Sequence, residues 1–384
     1  GADLIVLSHL RWPWVWQRPQ QLISRLAPVR AAAGGRTWFV EEPIGGPVTE
    51  PELWTEQIDG LTRVRLVVPS RSGEVEYLGF DDPATSAYGS MLAELLAAEG
   101  RTVAPDVWLF TPMAFDIAQR LGARRLIYDV MDDLSSFADA PQGLLLRQRR
   151  LLAEAAVVFT GGRSLHRGIS SQRRHGVHLF PSGVDTAHYA RSRALRQPRD
   201  RRVAGYVGVI DERLDLDLVG RLAEELPDWT IRMVGPVTKI DEGLLPRRAN
   251  IEYTGMTAYD QLPEAMAGFD VALMPFALNE HTHNISPTKT LEYLAAGLPV
   301  VGTAVPDVVA DHADVVYVAR DRDDFIAQVE TARTRDEVRA ARGDEKARAA
   351  TWDAIAAAMR GDLEAAGIVY AAASPARKNS AAFA

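Results

Sequence analysis

The sequence predicts an α/β chain of two Rossmann-like domains, each a doubly wound parallel sheet, facing across a cleft. Three observations predict it. Short apolar runs of strand type alternate with amphipathic helical patterns, as a parallel sheet requires. The alternation stops near residue 187, passes through a stretch rich in Arg, Ser and Pro, and restarts at Val203. A chain of 384 residues is long for one core and suits two. The expected limits are 1–187, a linker over 188–202, and 203–350.

Composition bounds the class. The chain is 47% hydrophobic and 24% charged, as in ordinary globular proteins. It has no run of about 18 uninterrupted apolar residues, so no spanning helix is expected. A strand starting at Asp3 leaves no visible signal peptide, and the expected location is cytoplasmic. With no cysteine, disulfides, zinc–thiolate sites and thiol nucleophiles are excluded. A net charge of −8 gives no global pull toward nucleic acid. Local arginines at Arg147, Arg149 and Arg150 leave peripheral membrane contact open.

In the first half, Asp3–Ser8 reads as a buried strand, and a helix is expected over Pro19–Leu26. Between them lie His9 and the tryptophans Trp12, Trp14 and Trp16. Aromatics at the carboxyl end of a first strand can form a platform for a sugar or another flat ligand; the competing reading is a hydrophobic plug between domains. Arg18, at a helix start, opposes the helix dipole and is a candidate anion or acceptor contact. Further strands are expected at Thr37–Glu41, Val64–Pro69, Val107–Thr111 and Arg125–Asp129, with helical patterns at Pro83–Ala98 and Met113–Leu121. The last of these strands ends in Asp129, Asp132 and Asp133, which could hold a base, a metal or a sugar hydroxyl; one of them could instead cap a helix. Val157–Gly162 is a strand ending in a glycine pair before Arg163 and Ser164, the form of a backbone anion nest.

In the second half, strands are expected at Val203–Ile210, Thr230–Val234, Ile251–Tyr253, Val271–Met274, Leu298–Gly302 and Val315–Val318, with a helix over Leu216–Glu225. Gly208 and Gly235 follow the first two of these strands, where ligands of such sheets bind. The polar loop Asn279–Asn284 precedes the central motif. His281 and His283 alternate like metal ligands but lack a third nearby, and the bland reading is a mobile polar loop.

The central motif runs from Asn284 to Val301. Ser286 is expected as an N-cap and Pro287 as the first helical residue; Leu291, Leu294 and Ala295 form the buried stripe, and Gly297 ends the helix. Lys289 breaks the local rule, because a cation in the first turn opposes the dipole by several tenths of a kcal/mol. Beside the backbone N–H groups of Ser286, Thr288 and Lys289 it makes sense if a strong anion binds there. Glu292 shares its face and could accept from hydroxyls next to that anion. Anion plus vicinal hydroxyls describes a nucleotide diphosphate and its ribose. The alternative is a capped core helix with a surface Lys–Glu pair.

Ser286-Pro-Thr-Lys-x-x-Glu292, followed by Ala-x-Gly297-x-Pro-Val, resembles the donor-site motif of retaining family 4 glycosyltransferases of the GT-B fold. The resemblance spans nearly the whole chain. It implies ribose binding by Glu292 and, for the loop bordering the donor sugar, sugar contacts from Glu280, His281 or Asn284. The family's first glutamate would fall at Asn284, so that acid is missing. Family members often place an arginine and a lysine after the strand ending at Gly208; Val209 replaces the first, and Arg213 lies near the second. Trp12, Gln17, Arg18 and Pro19 match a segment that faces the cleft in one branch, and Asp129 and Asp132 match an acceptor-side segment. Phe180–Asp185 resembles the turn closing the first domain. Thr351-Trp-Asp353 resembles the point where the last helices cross back, giving a crossing helix over 351–369 and a tail over 370–384.

The reading is a glycosyltransferase that uses a nucleotide-diphosphate sugar, with an acceptor hydroxyl on a small molecule or glycan. Lys289 and Arg213 stabilise the leaving diphosphate; Ser286, Pro287, Thr288, Glu292, Asn284, His281, Gly208 and Gly235 bind the donor; His9, Trp12, Arg18 and Asp129 face the acceptor. Asp132 is the candidate base, although transfer of the acceptor proton to phosphate makes a protein base dispensable. No metal or other cofactor is required on this reading. The alternatives are a nucleotide-sugar 2-epimerase or pseudo-glycosyltransferase of the same fold, and a non-catalytic nucleotide-sugar binder.

Overall fold

A computed structural model of the chain describes residues 1–14, 16–133, 143–280 and 282–368. The chain divides into two compact units, one of Gly1–Asp129, Gln142–Phe159 and Ala356–Ala384, the other of Val130–Pro141 and Thr160–Ile355.

The first unit is built on a mostly parallel sheet. From one side its strands run Val157–Thr160, Arg125–Val130, Asp106–Leu109, Leu4–Ser8, Thr37–Glu41, Leu61–Pro69, Ile44–Gly46 and Glu76–Tyr77. The central strands are buried along their length, with apolar interiors and polar residues only at their ends (Ser8, Thr37, Glu41, Asp106), as parallel strands covered by helices must be. An antiparallel hairpin is added at Glu52–Ile58 and Leu61–Pro69. Its turn is Asp59–Gly60, with φ of 50° and 79°, the two-residue geometry that matches strand twist. The expected strand at Val64 is therefore the second half of a longer hairpin strand. The expected helix at Pro19 starts at Arg18 and runs to Ala32.

The second unit holds a six-stranded parallel sheet in the order Ile251–Gly255, Trp229–Val234, Arg202–Val207, Val271–Met274, Val300–Thr303 and Val316–Ala319. This is the Rossmann-like order the second half predicts. Its core includes Leu218, Ile231, Met233, Leu273, Tyr293 and Val301.

The segment expected to be an aperiodic linker contains a helix, Thr186–Leu195. Asp185 caps it by accepting from the His188 amide at 3.0 Å. Its buried face amounts to Tyr189 and Ser192, too little to register as a periodic pattern. It packs on the helices Leu262–Ala267 and Lys289–Ala295. The His188 ring stacks on Tyr259, centroids 4.1 Å apart. Arg193 donates to the Ala295 carbonyl at 2.9 Å and to Leu294, filling carbonyls that a helix end leaves without partners.

The alanine-rich end of the chain forms two helices, Glu337–Ala349 and Trp352–Ala365. At the break, Val184 donates to the Ala350 carbonyl at 2.9 Å, and Trp352 is buried there. The second helix begins in one unit; from Ala356 it counts with the other, burying Met359 and Leu363. No helix among the described residues is long and apolar enough to cross a membrane.

Candidate functional site

Two glycine loops form the floor. The strand Arg202–Val207 ends at Gly208 (φ +148°), and Trp229–Val234 ends at Gly235 (φ +142°), both in backbone space that favours glycine. The Gly208 amide donates to Val234 at 2.8 Å, Ile210 to Pro236 at 2.9 Å and Thr238 to Ile210 at 3.0 Å, so the two loops are laced together. A Cβ on Gly235 would stand 2.7 Å from the Gly208 carbonyl carbon. One on Gly208 would stand 2.7 Å from the Lys289 Nζ and 2.9 Å from the Tyr206 hydroxyl. The glycines are there so that backbone and lysine can approach this closely.

The central helix spans Lys289–Ala295 and is capped at Thr288. It starts two residues later than the motif suggests: Ser286 is not the N-cap, and Pro287 precedes the helix rather than opening it. Because Thr288 already has helical φ and ψ (−58°, −30°), the entry is a gradual turn. Lys289 is thus the first helical residue. Gly297 (φ +73°) ends the helix as expected, with Leu298 donating to Tyr293 at 3.0 Å and Gly297 to Leu294 at 2.9 Å.

Lys289 is half-buried, its ammonium 5.6 Å from the centre of the Tyr206 ring. Burial pushes its pKa below the ordinary lysine value, and Arg213 adds to that; Glu292, Asp211 and Asp132 oppose it. Burial pushes the Glu292 carboxyl up, against Lys289 and a hydrogen bond with Tyr189. Sequence reasoning missed Tyr189, which comes from the helix it read as linker.

Arg213 is already engaged. Its Nη2 lies 2.7 Å from Asp211 Oδ2 and its Nε 3.0 Å from both carboxylate oxygens, while its own amide donates to Asp211 at 3.0 Å. Asp211 is buried, and the guanidinium also acts on Asp132. Burial pulls Arg213 down, yet the Asp211 contact holds its pKa above the ordinary arginine value.

Asp132 is half-buried. Burial raises its pKa, Arg213, Lys239 and Lys289 oppose the rise, and Asp211 adds to it. Its neighbour Asp133 accepts from Asn284 Nδ2 at 2.9 Å. So the site where the motif's first acid is missing carries an amide that holds a carboxylate from elsewhere in the chain. His281 lies outside the described residues. Glu280 and His283 are exposed. Among the described residues no group of three His, Asp or Glu side chains could hold a metal ion.

The glycine pair at 161–162 is not an open anion nest. Ser164 donates to Asp307 Oδ1 through its amide (3.0 Å) and its hydroxyl (2.7 Å), so the protein's own buried carboxylate occupies that helix start. A Cβ on Gly162 would meet Asp307 Oδ2 at 2.5 Å and Ser286 Cβ at 2.7 Å.

In the first unit, three of the four residues expected on the acceptor side are buried and have partners within the protein. Trp12 is 2% exposed: its amide donates to Glu41 at 2.8 Å, its indole to Asp59 at 3.1 Å, and its ring packs edge-on against Phe39. This ring is packed inside the first unit, and Trp14, at 49%, is the exposed tryptophan of the segment. Arg18 and Asp129 are both buried and form an ion pair at 2.8 Å. The cation that looked misplaced at a helix start has its partner at a distant strand end. Burial raises the Asp129 pKa, with Arg18 opposing. His9 is half-buried. Of the three arginines noted for membrane contact, Arg147 pairs with Asp116 and Arg150 lies over the Phe115 ring.

Comparison with known proteins bears on both units. Residues 201–334 match the family described as "Glycosyl transferases group 1". Over 229 residues, 54% of this chain and 58% of the relative, the chain is 30% identical to a Bacillus subtilis (strain 168) protein named "Putative teichuronic acid biosynthesis glycosyltransferase TuaH". The chain thus spans less than two thirds of that relative. Solved structures match almost end to end. Sucrose-phosphate synthase from Thermosynechococcus elongatus gives a TM-score of 0.70 at 16% identity, covering 95% of this chain and 98% of that one. Anabaena HepE, solved with UDP and glucose, gives 0.70 at 13% identity, covering 95% and 100%. An Escherichia coli trehalose-6-phosphate protein bound to UDP-2-fluoro glucose gives 0.69 at 13%, covering 94% and 99%. At these identities the likeness establishes the fold, which is GT-B.

Proposed function

We propose that this chain, which carries a glycosyl transferases group 1 domain over residues 201–334 on a GT-B fold, transfers a sugar from a nucleotide-diphosphate donor to an acceptor hydroxyl with retention at the anomeric carbon. The observation that carries the reading is Lys289 at the first helical position, over the Gly208 floor and in the field of Arg213. A half-buried cation opposing its own helix dipole has a purpose when a diphosphate lies against it.

The donor's phosphates take Lys289, Arg213 and the backbone amides of Ser286 and Thr288, in the segment that leads into the helix. The ribose hydroxyls take Glu292, whose raised pKa suits a carboxyl waiting for donors. Gly235 borders the base, and the Asp133–Asn284 pair borders the sugar. As the C1–O bond breaks, its electron pair passes to the diphosphate oxygen, where the two cations take up the charge. The acceptor oxygen bonds to C1 from the same face, and its proton passes to a phosphate oxygen. Asp132 serves as a charged wall rather than an obligatory base. The cations do the neutralising that a metal does elsewhere, so turnover persists in excess EDTA. The domain limits 1–187 and 203–350 correspond to acceptor and donor sides. The name of the curated relative supports a bacterial glycan as acceptor over a small molecule.

A thermal-shift screen of UDP, GDP, ADP, CDP and TDP tests the donor site. A ligand at 100 times its dissociation constant adds about 2.7 kcal/mol of stability. One clear winner, followed by loss of both the shift and sugar transfer in Lys289→Ala, supports the reading. No shift with any of the five, or wild-type transfer by Lys289→Ala, overturns it.

A further inference from the structure

We infer that Lys239 is a third cation of this site, one that takes an anionic oxygen of the donor's diphosphate; the inference rests on the donor reading above. Among the described non-glycine residues, only Asp59 and Lys239 have positive φ, at 50° and 60°. Asp59 is accounted for by the hairpin turn it forms with Gly60. Lys239 stands in no such turn, and lysine, unlike glycine, asparagine or aspartate, has no local reason to adopt the left-handed conformation. Where such a conformation persists at the carboxyl end of a strand, the surrounding structure enforces it, and a functional placement is the natural cause.

The enforcement is visible. Segment 235–239 is laced to the loop that carries Arg213 through Ile210 to Pro236 at 2.9 Å and Thr238 to Ile210 at 3.0 Å. Gly235 sits against Gly208, which in turn underlies Lys289. One backbone assembly therefore sets the positions of Arg213, Lys239 and Lys289, and all three act on Asp132. They are not equivalent. Arg213 is held by both oxygens of Asp211, and Lys289 is half-buried over Tyr206. Lys239 is the exposed one of the three. The site's anions, Asp211, Asp132 and Glu292, offset the three cations when it is empty, and a diphosphate supplies the opposing charge when it is filled.

The same ammonium could instead meet a carboxylate on the donor sugar, and the test separates the two sources. Lys239→Gly removes the charge while keeping the left-handed backbone without strain, so it folds; Lys239→Arg keeps the charge. Affinity is measured by calorimetry for the nucleoside diphosphate that wild type binds best, for the monophosphate of the same base, and for its hexose and hexuronate conjugates. The expected result is about a tenfold loss of diphosphate affinity in Lys239→Gly, little change for the monophosphate, and near-wild-type binding by Lys239→Arg. Unchanged diphosphate affinity in Lys239→Gly overturns the inference while leaving the donor reading intact. So does a loss confined to the hexuronate conjugate, or an equal loss in Lys239→Arg. Absence of diphosphate binding by wild type overturns the donor reading and the inference together.

Discussion

Gly208 lies so close beneath Lys289 that a single added methyl at the glycine would stand 2.7 Å from the ammonium nitrogen. That contact ties the strand end of one βα unit to the helix start of another, and it makes the lysine's position a backbone property. Gly208→Ala should therefore displace Lys289 and also strain a backbone at φ +148°. We expect a stability loss of about 1–3 kcal/mol together with loss of nucleoside-diphosphate binding. Denaturation and calorimetry on the same variant check both. Normal diphosphate affinity in a folded Gly208→Ala protein would show that Lys289 does not need this floor.

Glu292 and Tyr189 give a second test. The Tyr189 hydroxyl is hydrogen-bonded to a carboxyl that burial has already pushed up. If Glu292 reads ribose hydroxyls, Glu292→Gln weakens nucleotide affinity by about 1–3 kcal/mol. Tyr189→Phe acts only through Glu292, so it should cost less and add nothing in the double variant. Additive losses in that cycle would mean that Tyr189 meets the nucleotide directly.

The parts of this site that were legible in the sequence are those whose geometry is local. Lys289 and Glu292 face one way because they sit three residues apart on a helix, and Gly208 and Gly235 reach the site because ligands gather at strand ends. What was not legible depends on partners far apart in the chain. Arg18 looked like a cation waiting for a ligand because nothing near it reveals Asp129. Gly161 and Gly162 looked like an empty nest because Asp307, which fills it, lies on a later helix. The helix carrying Tyr189 buries too few residues to show a period.

The Arg18–Asp129 pair predicts a stability phenotype where the sequence suggested an acceptor contact. Both groups are buried, so Asp129→Asn removes the carboxylate charge paired with a guanidinium in the core. The expected destabilisation is about 3–5 kcal/mol, with nucleotide affinity unchanged in whatever fraction remains folded. Urea denaturation checks the first and a bound-nucleotide titration the second. A stable Asp129→Asn protein with impaired transfer would return Asp129 to the acceptor side.

Glu42 predicts how stability varies with pH. It follows the strand Thr37–Glu41, and burial pushes its carboxyl from 4.5 up to about 8, with Asp81 adding to the rise while Arg11 and the Phe80 amide oppose it. The folded state therefore keeps a proton that the unfolded chain releases above about 4.5. Folding takes up that proton between the two values, so this group's contribution is fully present below 4.5 and is lost as pH rises through about 8. The slope it imposes on wild type approaches about 1.4 kcal/mol per pH unit within that window. Glu42→Gln keeps the shape and removes the titration. Its stability relative to wild type should rise steadily from pH 5 to pH 8 in urea melts, the two proteins being close at the acid end. Parallel curves across that range would mean that Glu42 is ionised in the fold, and that Arg11 outweighs burial.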